Sequence, residues 1–202
     1  MVAMRRSNKQ NRKKKISSMG RILLTLLGIV IIGDLLGAML FLRQPGDVQS
    51  ELVYYIVNET TTSATFWQIF TQQAFYQLTI GGFGITLVGN VMSLFMLFIR
   101  GVGAGFNLTF LIREVGFSNG GAVIILAWLF QYVFVLFVTI LNLYFGLRFL
   151  FHVFKCLQQK KYRRIVVDLK AYGVQMVMII ILTFFSATVT RLLQPVFSQM
   201  FY

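Results

Sequence analysis

Long apolar runs separated by short polar segments dominate the hydropathy pattern of the chain. Residues 22–42 form an apolar run of 21 positions in which Asp34 is the only charged residue. A helix of that length, rising about 1.5 Å per residue, crosses the roughly 30 Å hydrocarbon core of a bilayer. Residues 121–149 and 171–190 are further long apolar runs. The pattern therefore predicts a membrane span at each of these three places.

The centre of the chain is harder to divide, because residues 66–99 contain no charged side chain. These 34 residues are too many for one straight crossing. We therefore expect an interfacial amphipathic helix over 66–77 and a span over 78–99, with Arg100 marking the cytoplasmic end of that span. The next apolar stretch, 101–112, has only 12 residues. It predicts a short or half-spanning helix that neighbouring helices shield from lipid.

These elements together predict an all-α integral membrane protein. Its membrane domain, residues 21–202, is expected to be a bundle of about five transmembrane helices plus the interfacial helix, and residues 1–20 form a basic tail. Composition supports this class, because 57% of the 202 residues are hydrophobic and only 12% are charged. That charged share is about half of what a soluble domain carries.

Basic residues concentrate in two parts of the chain. Of the 19 Lys and Arg residues, eight lie in residues 5–21 and six in the predicted loop 155–170. Basic segments mark the cytoplasmic side of membrane proteins, whereas the segment 44–65 carries only the acidic residues Asp47, Glu51 and Glu59. We therefore predict a multi-pass protein of the cell membrane with a cytoplasmic N-terminus and an outside C-terminus. The basic tail indicates contact with anionic lipid head groups, not with nucleic acid.

Asp34 lies within the first predicted span, where an ionised carboxylate costs on the order of 3 kcal/mol. The predicted topology places Arg113 and Arg191 toward the same leaflet, so an ion pair with one of them would offset that cost. The alternative is a role in partner contact or in proton movement. Asp34 is therefore a candidate functional residue.

Glycine residues cluster at two places in the centre of the chain. Gly81, Gly82 and Gly84 lie in a run that superficially matches a potassium-filter sequence, but the run occurs once, without the fourfold repetition that a filter needs. Gly101 and Gly105 have small-xxx-small spacing, which aligns two glycines on one helix face. Both clusters predict close helix packing, and for the second a partner-docking groove is an equal alternative.

Residues for enzymatic or metal chemistry are sparse. The single histidine, His152, excludes a His-Glu-x-x-His zinc motif, and the sequence contains no P-loop. His152 and Cys156 have the spacing of half a metal site, but the chain has no other His or Cys to complete it. We therefore predict no enzyme activity, no cofactor and no metal. The amides within the predicted spans are instead expected to bond between helices: Asn90, Asn107, Gln131, Asn142 and Gln175.

The central segment carries a longer pattern of glycine and aromatic residues. Gly81-Gly82-Phe83-Gly84-Ile85-Thr86 leads to Phe98-Ile99-Arg100-Gly101-Val102-Gly103-Ala104-Gly105-Phe106, then to Thr109-Phe110-Leu111-Ile112 and Gly116. This segment resembles the stage II sporulation protein M family, which has a basic residue followed by Gly, three residues, Gly and often Phe. In this chain Arg100, Gly101, Gly105 and Phe106 occupy those places. The resemblance covers residues 66–149, with one departure: Leu129-Phe130-Gln131-Tyr132 lacks the family's proline.

The resemblance implies a role in endospore formation. The family acts in engulfment of the forespore together with stage II sporulation proteins D and P, which degrade peptidoglycan. By this resemblance the chain would be a non-catalytic membrane scaffold that recruits and positions those enzymes. Asp47, Glu51 and Glu59 are then the candidate partner contacts of the outer loop.

A small membrane transporter or channel is the alternative function. The glycines, the predicted half-helix 101–112 and Asp34 fit it, because broken helices mark transport sites. The sequence shows no repeated half, which counts against it. A homo-oligomer is compatible with either function.

Overall fold

The computed structural model describes residues 2–45, 65–115 and 121–198. In these ranges the chain forms five helices and its all-helical class is confirmed. The helices are α1 (Val2–Leu42), α2 (Phe66–Phe83), α3 (Leu87–Val115), α4 (Gly121–Gln158) and α5 (Tyr162–Ser198).

Four of the described helices are long and apolar enough to cross a membrane. The candidate spans are Gly20–Leu42, Leu87–Arg113, Ile125–Gln158 and Tyr162–Leu193. Large apolar side chains cover the outer surface of the bundle, as expected where helices face lipid. The chain is therefore a helical membrane protein. The predicted count of about five spans differs from this result, because the 18-residue helix α2 is not among the four.

The described helices pair into two antiparallel hairpins. In the first, the turn 84–86 joins α2 to α3, and the Tyr76 hydroxyl donates a hydrogen bond to the Met96 carbonyl oxygen at 3.3 Å. In the second, the turn 159–161 joins α4 to α5, and the rings of Phe149 and Tyr172 stack with their centroids 4.9 Å apart. Successive helices within each hairpin therefore run in opposite directions.

The two hairpins pack with α4 running alongside α2 in the same direction. Asn142 of α4 bonds to Gln77 of α2, and four residues further along α4, Gly146 approaches Gly84. The turns 84–86 and 159–161 consequently lie toward the same end of the bundle, which we call the basic end because Lys160 and its basic neighbours lie there.

The core consists of two clusters of buried apolar side chains. One joins α1, α2, α3 and α4 and the other joins α4 and α5. Members of the first are Leu26, Val30, Ile80, Leu97 and Leu143, and members of the second are Val138, Phe145, Phe149 and Ile179.

The central segment divides at a different place from the one predicted. The predicted spans 78–99 and 101–112 do not meet at a break, because Arg100 lies inside the continuous helix α3. The chain breaks instead at residues 84–86. The predicted interfacial helix 66–77 is the first part of α2, which packs against α3, α4 and α5 and buries Gln77 and Ile80.

Side chains near this break explain why it is tolerated. The Thr86 hydroxyl accepts a hydrogen bond from the Gly89 N–H at 3.0 Å, which is the geometry of a helix N-cap. The Asn90 amide donates to the Gly84 carbonyl oxygen at 2.9 Å. These bonds satisfy backbone groups that a helix break would otherwise leave without hydrogen-bond partners in a bilayer. Counting charges could not find the break, because no charged residue lies near it.

The predicted basic loop 155–170 is mostly helical. α4 continues to Gln158 and α5 begins at Tyr162, so both helices extend past the predicted span limits 149 and 171. The turn between them places Lys160 at φ 55°, and the Lys161 N–H donates to the Cys156 carbonyl oxygen at 3.0 Å. This is a Schellman ending with lysine at the position that usually holds glycine.

Candidate functional site

Two glycines of α3 bring its backbone into contact with α1. A Cβ at Gly101 would lie 2.7 Å from the Val30 carbonyl oxygen, and a Cβ at Gly105 would overlap the backbone of Asp34. Backbone atoms cannot move aside as side chains can. Gly101 and Gly105 therefore serve helix packing within the chain. This is one of the two alternatives that the sequence predicts for them, the other being a partner-docking groove.

Two glycines of α1 complete this contact. A Cβ at Gly33 would lie 2.7 Å from the Phe98 carbonyl oxygen, and one at Gly37 would overlap the backbone of Val102. A step of four residues along α1, from Gly33 to Gly37, corresponds to a step of four residues along α3, so the two helices run parallel. We call the four glycines at 33, 37, 101 and 105 the glycine seam. The spacing of Gly33 and Gly37 is the signal that could have predicted the α1 half from sequence.

Aromatic side chains extend the contact between α1 and α3 beyond the glycine seam, toward the C-terminal ends of both helices. The ring of Phe106 meets that of Phe41 edge to face at 5.0 Å, and Phe110 meets the same ring at 6.3 Å. Phe41 is fully buried. Three of the four residues on which the family resemblance rests, Gly101, Gly105 and Phe106, thus contact α1.

The earlier glycine cluster lies where α2 meets α4 and α5. A Cβ at Gly84 would lie 3.0 Å from the Gly146 Cα, and the Tyr172 hydroxyl donates to the Gly81 carbonyl oxygen at 2.7 Å. Nothing lies within 4 Å of a Cβ at Gly82. Gly81 and Gly84 therefore lie in close contacts and Gly82 does not.

Asp34 is held by a tyrosine of α4. The Tyr132 hydroxyl donates a hydrogen bond to the Asp34 carboxylate at 3.1 Å, which joins α1 to α4. The sequence offered an ion pair with Arg113 or Arg191, and the structure shows this bond in its place. Sequence reasoning missed Tyr132, because a tyrosine inside an apolar run does not distinguish itself from packing residues.

Arg100 points away from the seam. Its guanidinium carbon lies 4.7 Å from the centroid of the Tyr76 ring of α2, a cation–π distance. The side chain is half-buried in the described bundle. Arg100 therefore does not end a span; it faces the interior between α2, α3 and α4.

A cavity of about 560 Å³ lies beside Arg100. Helices α2, α3 and α4 form its walls, and Trp128 stacks on Tyr132 at its edge with their centroids 5.2 Å apart. Met96, Ile99 and Val135 supply apolar surface. Its polar lining consists of Gln73, Tyr76, Arg100, Asn107, Gln131 and Tyr132. Asn107 and Gln131, which the sequence predicted to bond between helices, thus face this cavity.

A network of buried amide side chains lies next to the cavity, on the side nearer the basic end. The Gln77 amide donates to the Thr139 hydroxyl at 2.9 Å, and the Asn142 amide donates to the Gln77 carbonyl oxygen at 2.8 Å. For Asn142 the predicted bond between helices is present. The network fixes α2 against α4 and so fixes two of the three cavity walls.

Some predicted residues lie outside this description. Asp47, Glu51 and Glu59 fall outside the described residues. Among the described ones, no group of three or more His, Cys, Asp or Glu side chains is placed to hold a metal. The Cys156 thiol is buried and lies 3.9 Å from the Asp168 carboxylate.

Comparison with known protein families, curated proteins and solved structures gives no match. The class of the protein therefore rests on its fold and its site. It is a helical membrane protein with a glycine-packed helix pair on one side of α3 and a polar cavity on the other.

Proposed function

We propose that the chain is a non-catalytic membrane scaffold that positions peptidoglycan-degrading enzymes during forespore engulfment. Its partners would be stage II sporulation proteins D and P. The glycine seam is the observation that carries the proposal. Gly101, Gly105 and Phe106, which match the family pattern, lie where α3 fixes α1. The residues that carry the resemblance thus serve helix packing, which supports a scaffold role without catalytic residues.

The charge distribution supports an orientation for this scaffold. The parallel packing of α1 with α3 brings Arg21 toward the same end as the basic turn beside Lys160. The positive-inside rule puts that end in the cytoplasm, next to anionic lipid head groups. The opposite end, where α1 ends at Leu42 and α2 begins at Phe66, then faces outward with the acidic segment between them.

Maleimide labelling of intact cells tests this orientation. In a Cys156→Ser background, Thr65→Cys is expected to react with a membrane-impermeant maleimide from outside. Lys160→Cys is expected to react only after permeabilisation. The reverse pattern would contradict the orientation and with it the assignment of an outer partner loop.

A detergent-solubilised pull-down tests the scaffold itself. The tagged chain, produced in sporulating cells of an endospore-forming host, is expected to capture the D and P proteins. Replacing Asp47, Glu51 and Glu59 with the corresponding amides is expected to lower this capture. Asp168→Asn, an acidic residue near the basic end, is the matched control and should capture both enzymes as the unmodified chain does.

Mass spectrometry of the captured proteins decides the outcome. Recovery of both enzymes, reduced by the triple amide variant but not by Asp168→Asn, would support the scaffold. Recovery of neither enzyme from cells in which the tagged chain is intact and membrane-embedded would contradict it.

A small transporter is the second candidate, and the cavity is the observation that favours it. Polar side chains lining a cavity between spans are the usual setting of a solute site. Asp34→Asn is expected to reduce solute flux in vesicles if the Asp34 to Tyr132 bond controls access to this cavity. Unchanged flux in that variant would remove Asp34 from any transport path.

A further inference from the structure

Arg100 is a cation at the middle of a membrane span. It lies 13 residues after the start and 13 before the end of Leu87–Arg113. A charged side chain at that depth costs about 3 kcal/mol on insertion scales, so it normally has a counter-charge. Within the described residues its contact is the Tyr76 ring, and no carboxylate forms an ion pair with it. An anion from outside the chain would supply the counter-charge.

The acidic residue in the neighbouring span does not fill this role. Asp34 of α1 accepts its hydrogen bond from Tyr132, which itself lines the cavity, and Asp34 forms no ion pair with Arg100 among the described residues. Arg100 instead opens on the cavity of about 560 Å³. That volume is in the range of sites for small organic ligands.

Amide side chains lie at the same cavity. The Gln73 amide nitrogen donates to the Thr190 hydroxyl of α5 at 3.4 Å, and its Oε1 atom is buried, so this side chain is directed away from the open space. Asn107 and Gln131 bring further amide groups to the cavity. The polar lining thus offers one fixed positive charge and adaptable amides.

We infer that this cavity binds an organic anion. Its carboxylate or phosphate pairs with Arg100, and its apolar part lies along Met96 and Val135. Arginine is suited to this role because its planar fork binds both groups through two parallel hydrogen bonds. The inference stands on these residues alone and holds whether or not the scaffold proposal does.

The same anion chemistry has two sources. An anionic lipid can reach the cavity sideways from the bilayer, and a water-soluble anion can reach it from one end of the bundle. A cavity filled with water alone is the opposing account, in which Arg100 keeps a hydrated guanidinium and selects no anion.

Trp128 provides a built-in reporter of the occupant. It is one of only two tryptophans in the chain and it lines the cavity. The other, Trp67, is 64% exposed near the start of α2. In a Trp67→Phe background, the emission of the purified full chain therefore reports on the cavity. A brominated acyl chain quenches this emission on contact.

The experiment compares brominated phosphatidylglycerol with brominated phosphatidylcholine in nanodiscs, and inorganic phosphate and octanoate in solution. Arg100→Gln removes the charge, and Gly103→Leu fills the cavity from a position where a Cβ meets nothing. Lys170→Gln removes a cation outside the cavity as a control. Gly173→Leu is the matched control for Gly103→Leu, because a Cβ there also meets nothing.

We expect the apparent affinity for the anionic lipid to be roughly tenfold higher than for the zwitterionic one, which is the value of a charge-assisted hydrogen bond. Arg100→Gln and Gly103→Leu should remove this preference, and both controls should keep it. A saturable change in Trp128 emission on addition of octanoate or phosphate alone, lost in Arg100→Gln, would support the inference with a soluble source.

Equal quenching by the two lipids, with no saturable change in emission on addition of octanoate or phosphate, would overturn the inference in favour of a water-filled cavity. A preference that survives Arg100→Gln but disappears in Lys170→Gln would also overturn it, because binding would then lie at the basic surface. Size-exclusion chromatography checks folding first. If Arg100→Gln does not fold, Gly103→Leu decides, since it leaves the charge in place and removes only the space.

Discussion

The two faces of α3 differ in how closely they pack against the neighbouring helices. Toward α1, Gly101 and Gly105 let two backbones touch, and the contact leaves no room for a side chain. Toward α2 and α4, Arg100 and Asn107 border a cavity of about 560 Å³. Gly103 lies on this second side, where a Cβ would meet nothing within 4 Å. Three glycines within five residues thus have two different roles, and only their neighbours distinguish them.

The difference shows which part of the bundle is held by close packing and which part leaves open space. In a bilayer, helices associate through close packing and hydrogen bonds, because lipid tails are as apolar as leucine. The seam uses packing alone. The cavity side relies on a few bonds such as those of Gln77 and Tyr172, which hold α2 while leaving room beside it. The closely packed seam is therefore combined with open space on the other side of the same helix.

The largest expected effect comes from breaking the seam. In Gly105→Leu the new side chain would overlap the backbone of Asp34, which cannot move without separating α1 from α3. We expect a loss of about 3 kcal/mol in the free energy of unfolding, the upper part of the usual range for overpacking. Unfolding by SDS in mixed micelles, followed by circular dichroism, measures this loss.

Gly103→Leu is the matched control on the other face of α3. It adds the same side chain to the same helix two residues away, and there it enters open space. We expect its free energy of unfolding to fall by less than about 1 kcal/mol, because no backbone contact is broken. Equal losses in the two variants would show that the two faces do not differ as the structure has them.

A smaller loss is expected where the cavity side is held by one bond. Tyr172→Phe removes the hydroxyl that donates to the Gly81 carbonyl oxygen at 2.7 Å, next to the break after α2. The carbonyl is then left without this donor, and we expect unfolding to become easier by about 1–2 kcal/mol. The same SDS titration measures it.

Tyr144→Phe provides the comparison for that variant. Tyr144 is also buried, and its ring packs 5.9 Å from that of Phe145, but none of the hydrogen bonds seen among the described residues involves its hydroxyl. This variant should change stability by less than Tyr172→Phe. A larger loss at Tyr144 would mean that ring packing, not the bond to the Gly81 carbonyl oxygen, holds α2.

The sequence predicted the all-helical membrane class, because long apolar runs follow directly from bilayer thickness. It placed the division of the central segment wrongly. Arg100 predicts the end of a span, because isolated arginines usually lie at the membrane surface. The true break depends on short polar residues, Thr86 and Asn90, whose hydrogen bonds give no charge signal.

The candidate site was predictable in part. The spacing of Gly101 and Gly105 is a local pattern, and so is the missed pair Gly33 and Gly37. The cavity is not a local pattern, because Gln73, Arg100 and Gln131 come from three helices. Bringing them together requires the hairpin at 84–86, so the error in dividing the central segment also hid the site.

The smallest expected effect is a gain, at the end of the α4 wall and away from both faces of α3. Lys160 has a φ of 55°, in the left-handed region that costs an L-residue about 1–2 kcal/mol. Lys160→Gly removes that cost but gives the unfolded chain more freedom, worth up to about 1 kcal/mol. The net gain in the free energy of unfolding should be roughly 0.5–1 kcal/mol. Lys160→Ala removes the same charge and keeps the strained backbone, so it should give no comparable gain. If alanine stabilises as much as glycine does, repulsion from Lys161 is the cause, and the ending of α4 carries no strain.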